Sequence, residues 1–310
     1  MNFLLYKILH LKVMSQQQVI GIDIGGTTIS VGCFREDGTC LQSINLATPQ
    51  PAIPEAIVNA IANPIQTLDQ NYHCRAIGVG MPGPTDETNR IARVGINLPD
   101  WQDIPLAQWL ETQTRLPVTL ANDANSAAVG EAWLGAGRGI QNFILLTLGT
   151  GVGGAIFIDG KLFTGSYGAA GELGLVTLYP EGYPCNSGNQ GSLEQYASIG
   201  AIRRITGKEP LELGQLSAKG DRDSLDFWQQ YGKTLGAGIA SLVYVLTPEA
   251  VILGGGISAS AEYFFPATLA EIERRVHPSS RVGLRLLKAE LGSNAGMIGA
   301  AKLAWNLIRT

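Results

Sequence analysis

The chain has 310 residues, 45% of them hydrophobic and 15% charged, with a formal net charge of −4. At about 150 residues per domain this length suggests two domains, and the apolar content supplies a core for each. The small acidic excess argues against a nucleic-acid groove, which needs a basic stripe. Glycine, with 39 residues, is over-represented, pointing to many tight turns and close backbone approaches. The four cysteines, Cys33, Cys40, Cys74 and Cys185, form no disulfide framework, and the expected compartment is a reducing cytoplasm. The three histidines, His10, His73 and His277, assemble neither a metal site nor a nucleophile–histidine pair.

The first 13 residues are largely apolar but carry Lys7 and Lys12. A spanning helix needs about 20 apolar residues, so no membrane association is expected. Residues 1–18 read as an extension outside the fold, with translation starting at Met14. Val19 to Asp23 is an apolar strand, followed by a Gly/Thr turn and a second strand, Ile29 to Phe34. Helical spacing covers 54–69, a buried strand covers Ala76 to Met81, and the loop PGPTDETN follows. Trp101 to Thr114 reads as a helix interrupted by Pro105. Pro117 to Asn122 is a strand, and an alanine-rich helix begins at Asp123. A further strand–turn–strand runs from Phe143 through GTGVGG to Ile158. Residues 222–246 are helical, Ala250 to Leu253 is a strand ending in three glycines, and 267–276 is helical. Leu284 to Leu291 is a strand, and Gly296 to Ile308 is a last helix. VIGIDIGGTTISVGCFREDG and NFILLTLGTGVGGAIFIDG share one pattern, a weak internal repeat that implies two related halves.

Alone, DIGGTT at 23–28 reads equally well as a plain hairpin turn or as a phosphate cradle. In a cradle, Gly25 and Gly26 free successive N–H groups to face one anion, and Thr27 and Thr28 add hydroxyl donors. Asp23 then lies where it could hold Mg²⁺ through water, since that ion keeps several waters and takes few carboxylates. GTGVGG offers the same choice at Gly149, Thr150, Gly151 and Gly153. Two such hairpins in one chain favour a pair of cradles for a polyphosphate. Gly254, Gly255 and Gly256 are either a structural strand-to-helix turn or a flat backbone surface for a base. In LANDANSAAVGEA a strand ends at Asn122 and a helix starts at once. Asp123 is then either the helix cap or a carboxylate at a ligand-binding strand end, kept ionised by the helix dipole and suited to accept a hydroxyl proton. Glu172 and Glu194 are either solvated side chains or polyol acceptors in glycine-rich loops. Finally, C-x-S-G-x-x-G-S-x-E at 185–194 has the spacing of a three-cysteine metal knot, with Ser187 and Ser192 in two of the thiol slots.

Together DIGGTT, GVGMPGP at 78–84, NLPDW at 97–101, LANDANSAAVGE, LGTGVGGAI, GAAGELG at 168–174, the 185–194 loop and LGGGIS resemble the ROK family (repressors, open reading frames, kinases), specifically its glucokinase-like members. The resemblance covers about residues 18–305. It implies an α/β protein of the actin-like ATPase (ribonuclease H-like) fold, with two α/β domains flanking a ligand cleft. It implies Asp123 as catalytic base, and Asn97, Asn122, Glu172 and Glu194, with Asp123, as sugar contacts. It further implies phosphate binding by Gly25–Thr28 and Gly149–Gly153, and an adenosine facing Gly254–Gly256. Family members usually place a histidine, which binds sugar and zinc, where this chain has Leu175, and have three knot cysteines where this chain keeps Cys185. No structural zinc is therefore expected.

The expected division is 19–121 for a smaller domain, with the helix at about 296–310 packing back on it, and 122–295 for a larger one. The expected activity is ATP- and Mg²⁺-dependent phosphorylation of a hexose, glucose above all. A kinase for another hexose or an N-acetylhexosamine, or a non-catalytic sugar sensor, is the alternative. The expected partners are hexose and ATP, with no nucleic acid or membrane, in a homodimer or higher homo-oligomer.

Overall fold

In residues 18–24 and 28–35 the apolar side chains Val19, Ile20, Ile22, Ile24, Ile29, Val31 and Phe34 are all buried, and such β-branched runs favour extended chain. They form β1 (Gln18–Ile24) and β2 (Thr28–Arg35), an antiparallel hairpin in register from Gln18 opposite Arg35 to Ile24 opposite Ile29. The computed structural model describes residues 17–95 and 98–309; the proposed N-terminal extension lies almost entirely outside the described residues.

The hairpin is extended by β3 (Cys40–Ala47). The chain continues through helix α1 (Pro54–Tyr72), β4 (Cys74–Met81), the short strands β5 (Ala92–Val94) and β6 (Gln102–Ile104), α2 (Leu106–Thr114), β7 (Val118–Asn122) and α3 (Asp123–Leu134). The five-stranded sheet has the order β3-β2-β1-β4-β7, with β4 parallel to both β1 and β7. The helix expected over 101–114 is shorter. Gln102–Ile104 instead pairs with Ala92–Val94. The residue before a proline is disfavoured in helical conformation, so Ile104 stays extended and α2 starts only after Pro105.

A second series follows: β8 (Phe143–Leu148), β9 (Val152–Ile158), β10 (Lys161–Phe163), α4 (Glu194–Ala197), α5 (Ile199–Thr206), α6 (Pro210–Ala218), α7 (Arg222–Leu246), β11 (Ala250–Gly254), α8 (Ala261–Arg275) and β12 (Arg285–Lys288). Its five-stranded sheet runs β10-β9-β8-β11-β12, with β8–β9–β10 antiparallel and β11 parallel to both β8 and β12. This repeats the order and the strand senses of the first sheet, so the two sequence patterns 19–38 and 142–160 are equivalent hairpins. Its core joins Ile144, Leu146 and Val251 to Leu235, Ile239 and Val243 of α7 and to Phe264 and Ile272 of α8.

The last helix, α9 (Ala295–Leu307), belongs to the first series. Among the described residues the first unit comprises 17–134, Gly165–Ala169 and 294–309; the second comprises Gly135–Thr164 and Ala170–Ser293. The boundary therefore falls beyond α3 rather than at 121. The reason is the packing of α3 on α9. A Cβ at Gly299 would lie 1.7 Å from the Ser126 carbonyl oxygen, and one at Gly130 would lie 2.4 Å from that of Ala295. The two helices meet backbone to backbone, and α3 cannot leave with the second unit. Among the described residues no helix is long and apolar enough to cross a membrane.

Candidate active site

In the first unit, the β1–β2 turn has all three of its tip carbonyls occupied. Thr48 Oγ1 donates to Gly25 O at 2.6 Å, the Thr48 N–H to Thr27 O at 3.0 Å and Gln50 Nε2 to Gly26 O at 3.5 Å. This leaves the N–H groups of Gly26 and Thr27 and the hydroxyls of Thr27 and Thr28, all exposed, as the polarity the turn offers outward. That is the character of an anion cradle. Sequence reasoning missed Thr48 and Gln50, which sit in no motif.

Asp23 lies one residue before the end of β1, which leads into this turn. A Cβ at Gly296 would lie 2.6 Å from Asp23 Oδ2, and one at Gly80 3.6 Å from Oδ1, so small residues make room for the carboxylate. Burial, and then the neighbouring charge of Asp123, push its carboxyl up to about 7. Two carboxylates thus lie close enough to repel each other.

Asp123 opens α3 but is not its cap. Asn122 Oδ1 accepts the N–H groups of Ala124 at 2.9 Å and Asn125 at 3.1 Å, the capping role. Asn122 Nδ2 makes a longer bond to Gly83 O at 3.4 Å. Asp123 Oδ1 accepts the Ala124 N–H at 2.7 Å, which fixes the carboxylate. Its side chain is open to water, yet the protein crowded around it raises its pKa by desolvation, against the N–H of Ala124, its own N–H and the Asn122 side chain. Asn97, the other expected sugar contact of this unit, lies outside the described residues.

The loop after β4 is held by Asp86, a buried residue the sequence reading passed over. Its Oδ1 accepts from the N–H groups of Arg90 and Ile91, both at 2.7 Å. Burial alone would raise this carboxyl, but bonds from Thr88 and from these N–H groups hold it below its ordinary value. The Leu120 N–H donates to Asn89 O at 2.8 Å, so the loop is tied to the strand that delivers Asn122 and Asp123. An aspartate followed by Thr and Asn in a proline-rich loop is the sequence signal that could have marked it.

In the second unit, the β8–β9 turn holds Gly149, Thr150 and Gly151. The Ile199 N–H donates to Gly149 O at 2.8 Å, and Glu194 Oε2 accepts the Val152 N–H at 2.9 Å. Glu194 therefore reaches the turn expected to bind phosphate. Gly153 lies just inside β9. At the end of β11, Gly255 has φ +81 and a Cβ there would lie 2.3 Å from Leu148 O. Only glycine allows this approach, which sets Gly254–Gly256 against the end of β8. Glu172 heads a short 3₁₀ turn, Leu173–Leu175, pressed on β9: a Cβ at Gly174 would lie 1.9 Å from Val152 O.

The loop at 185–192 is closed by hydrogen bonds. Asn189 Nδ2 donates to Leu175 O at 2.7 Å and to Thr177 Oγ1 at 3.1 Å, and Asn189 Oδ1 accepts the Gln190 N–H at 2.7 Å. The Cys185 N–H donates to Asn189 O at 2.8 Å. Burial pushes the Cys185 thiol up, but hydrogen bonding from Ser187, whose Oγ lies 3.3 Å from Sγ, outweighs it and lowers the pKa. Among the described residues no group of three or more His, Cys, Asp or Glu side chains is placed to hold a metal. Structure thus brings Asp23, Asn122, Asp123 and the first turn together in one unit, and Glu194, Glu172 and the second turn together in the other.

Comparison with known proteins identifies the family and the fold. The family model described as ROK family matches residues 19–306. A glucokinase of Thermotoga maritima is 34% identical, with 94% of this chain and 98% of that protein aligned. Among solved structures, a ROK family glucokinase from Streptomyces griseus in complex with glucose and AMPPNP superposes with a TM-score of 0.82 at 34% identity, covering 93% of this chain and 99% of its own. A ROK hexokinase from Thermus thermophilus gives 0.83 at 35% identity, covering 94% and 99%.

Proposed function

The chain belongs to the ROK family, and on that premise we propose that it is an ATP-dependent sugar kinase that converts glucose to glucose 6-phosphate. The observation that carries this reading is the Asn122–Asp123 pair. Asn122 takes over the helix cap, so the Asp123 carboxylate is fixed by one N–H and remains open to solvent. Its raised pKa makes it a better proton acceptor than an ordinary aspartate, as general-base work requires.

In this mechanism Asp123 accepts the proton of the sugar 6-hydroxyl as that oxygen attacks the γ-phosphorus. The bond from the γ-phosphorus to the β–γ bridging oxygen breaks, and ADP leaves with that electron pair. Gly25–Thr28 and Gly149–Gly153, with Thr150, hold the phosphates through N–H groups and hydroxyls, so that catalysis is largely positioning and charge stabilisation. Gly254–Gly256 face the adenosine. Glu172 and Glu194 accept sugar hydroxyls, and Asn97 and Asn122 add polar contacts. The hard oxygen donors of Asp23, with Asp123 nearby, fit Mg²⁺, which uses one or two carboxylates and retains water. Bound there, the cation would neutralise phosphate charge. The loop around Cys185 needs no zinc, because hydrogen bonds from Asn189 already close it. We place the enzyme in the cytoplasm, where ATP is available and its four thiols stay reduced.

The test is a panel of hexoses with MgATP, following ADP release and the position phosphorylated. Glucose should be turned over at its 6-hydroxyl. Asp123→Asn should lower kcat by about 10²–10⁴-fold while hexose and nucleotide affinities stay near wild type. A wild-type kcat in that variant would show that Asp123 is not the base.

A further inference from the structure

The β8–β9 turn is gripped by the segment that follows the 185–192 loop. Glu194 Oε2 accepts the Val152 N–H at 2.9 Å on one side of the turn, and the Ile199 N–H reaches Gly149 O at 2.8 Å on the other. A Cβ at Gly151 would lie 2.4 Å from the same Glu194 oxygen, so carboxylate and turn are in direct contact. The backbone that carries Glu194 is itself anchored. Leu193, fully buried, donates its N–H to Val176 O at 2.9 Å, and the Ser198 N–H donates to Glu194 O at 3.1 Å. Engaged on a backbone N–H, the carboxylate holds the shape of the turn.

We propose that Glu194 is a positioning residue for the phosphate turn as well as an acceptor for the hexose: Oε2 braces Val152, and Oε1 takes a sugar hydroxyl. This rests on the sugar-kinase reading. One side chain then joins the two substrate sites of this unit, so occupancy of either is felt at the other, and by linkage the coupling is mutual.

The experiment titrates Mg-AMPPNP into the full-length protein without hexose and follows amide exchange at Val152. Glu194→Gln keeps a carbonyl acceptor for Val152. It should bind nucleotide within about twofold of wild type and protect the Val152 amide, while the hexose KM rises. Glu194→Ala loses the brace. It should weaken nucleotide binding about tenfold, the usual effect of removing a hydrogen bond to a charged group, and speed exchange at Val152. Glu194→Asp, which keeps the charge but not the reach, should resemble Glu194→Ala and serves if the alanine variant does not fold. Nucleotide affinity and Val152 exchange unchanged in both shortened variants would overturn the brace. Failure of the wild type to bind Mg-AMPPNP would instead overturn the kinase reading, leaving Val152 exchange to decide the brace.

Discussion

Asp23 carries the least comfortable charge of the site. It sits in a pocket kept open by Gly80 and Gly296, and burial together with Asp123 raises its carboxyl to about 7 from an ordinary 3.8. In the unfolded chain it titrates near that ordinary value. Between the two values the folded protein therefore holds a proton that the unfolded chain has lost. The stability due to this proton is complete below about 4 and is lost as the pH rises through about 7, a change on the order of a few kcal/mol. We expect the melting temperature, measured in chelator and without ligands, to fall between pH 5 and 8. Asp23→Asn should flatten that slope, and added Mg²⁺ should oppose the fall in the wild type but not in the variant. A melting temperature that rises over this range in wild type would contradict the assignment.

At the scale of elements, the 172–194 region shows how an ordinary side chain can do a linking job. Asn189 ties the 185–192 loop to Leu175 and Thr177, next to the turn that carries Glu172. Asn189→Ala removes these bonds from a half-buried site and should cost about 1–2 kcal/mol, seen as a lower melting temperature and a higher hexose KM at little changed kcat. Elemental analysis should find no stoichiometric zinc, and chelators should leave wild-type melting unchanged. One zinc per chain would refute this account of the loop.

The same region marks the limit of sequence reading. Strands β1, β2, β8 and β9 were legible because their apolar runs end in glycine turns, and α7 because its apolar positions recur at helical spacing. Asp123 was legible only as a choice between a helix cap and a ligand-facing carboxylate, and it is the Asn122 bonds to Ala124 and Asn125 that supply the cap. The anchors Thr48 and Gln50 and the hold of Glu194 on Val152 were not legible. Each joins residues far apart in the chain through one polar atom, and composition or periodicity carries no trace of such a bond. The cap on Asn122 is local, but the sequence offers Asp123 beside it as an equally good capping residue. The position of α3 was hidden for a related reason. Its packing on α9 depends on Gly130 and Gly299, whose small size reads as poor helix propensity rather than as an interface.

For the molecule as a whole, the repeated sheet orders mean that each unit must complete its own core. The first does so with α9: Met297, Ala301, Ala304 and Trp305 are buried against Val19, Phe34 and Ala76. Burying side chains as large as Met297 and Trp305 is worth about 2–3 kcal/mol each, a large share of the roughly 5–15 kcal/mol that stabilises a domain. Deleting residues from Ala295 onward should therefore unfold the first unit while the second keeps its sheet, seen as protease cleavage confined to the first 134 residues. Equal protection of both units after that deletion would show that α9 is dispensable.

The placement of α9 also sets a timetable for synthesis. A nascent chain ordinarily folds its first domain first. Here the residues that begin the first unit emerge early, but the helix that covers their sheet is translated only after all of the second unit. The second unit can close while the first still waits with one face of its sheet bare. During that interval the apolar cluster of Val19, Phe34 and Ala76 is the surface a chaperone would need to shield, and the speed at which the ribosome reads the last stretch governs how long it stays exposed.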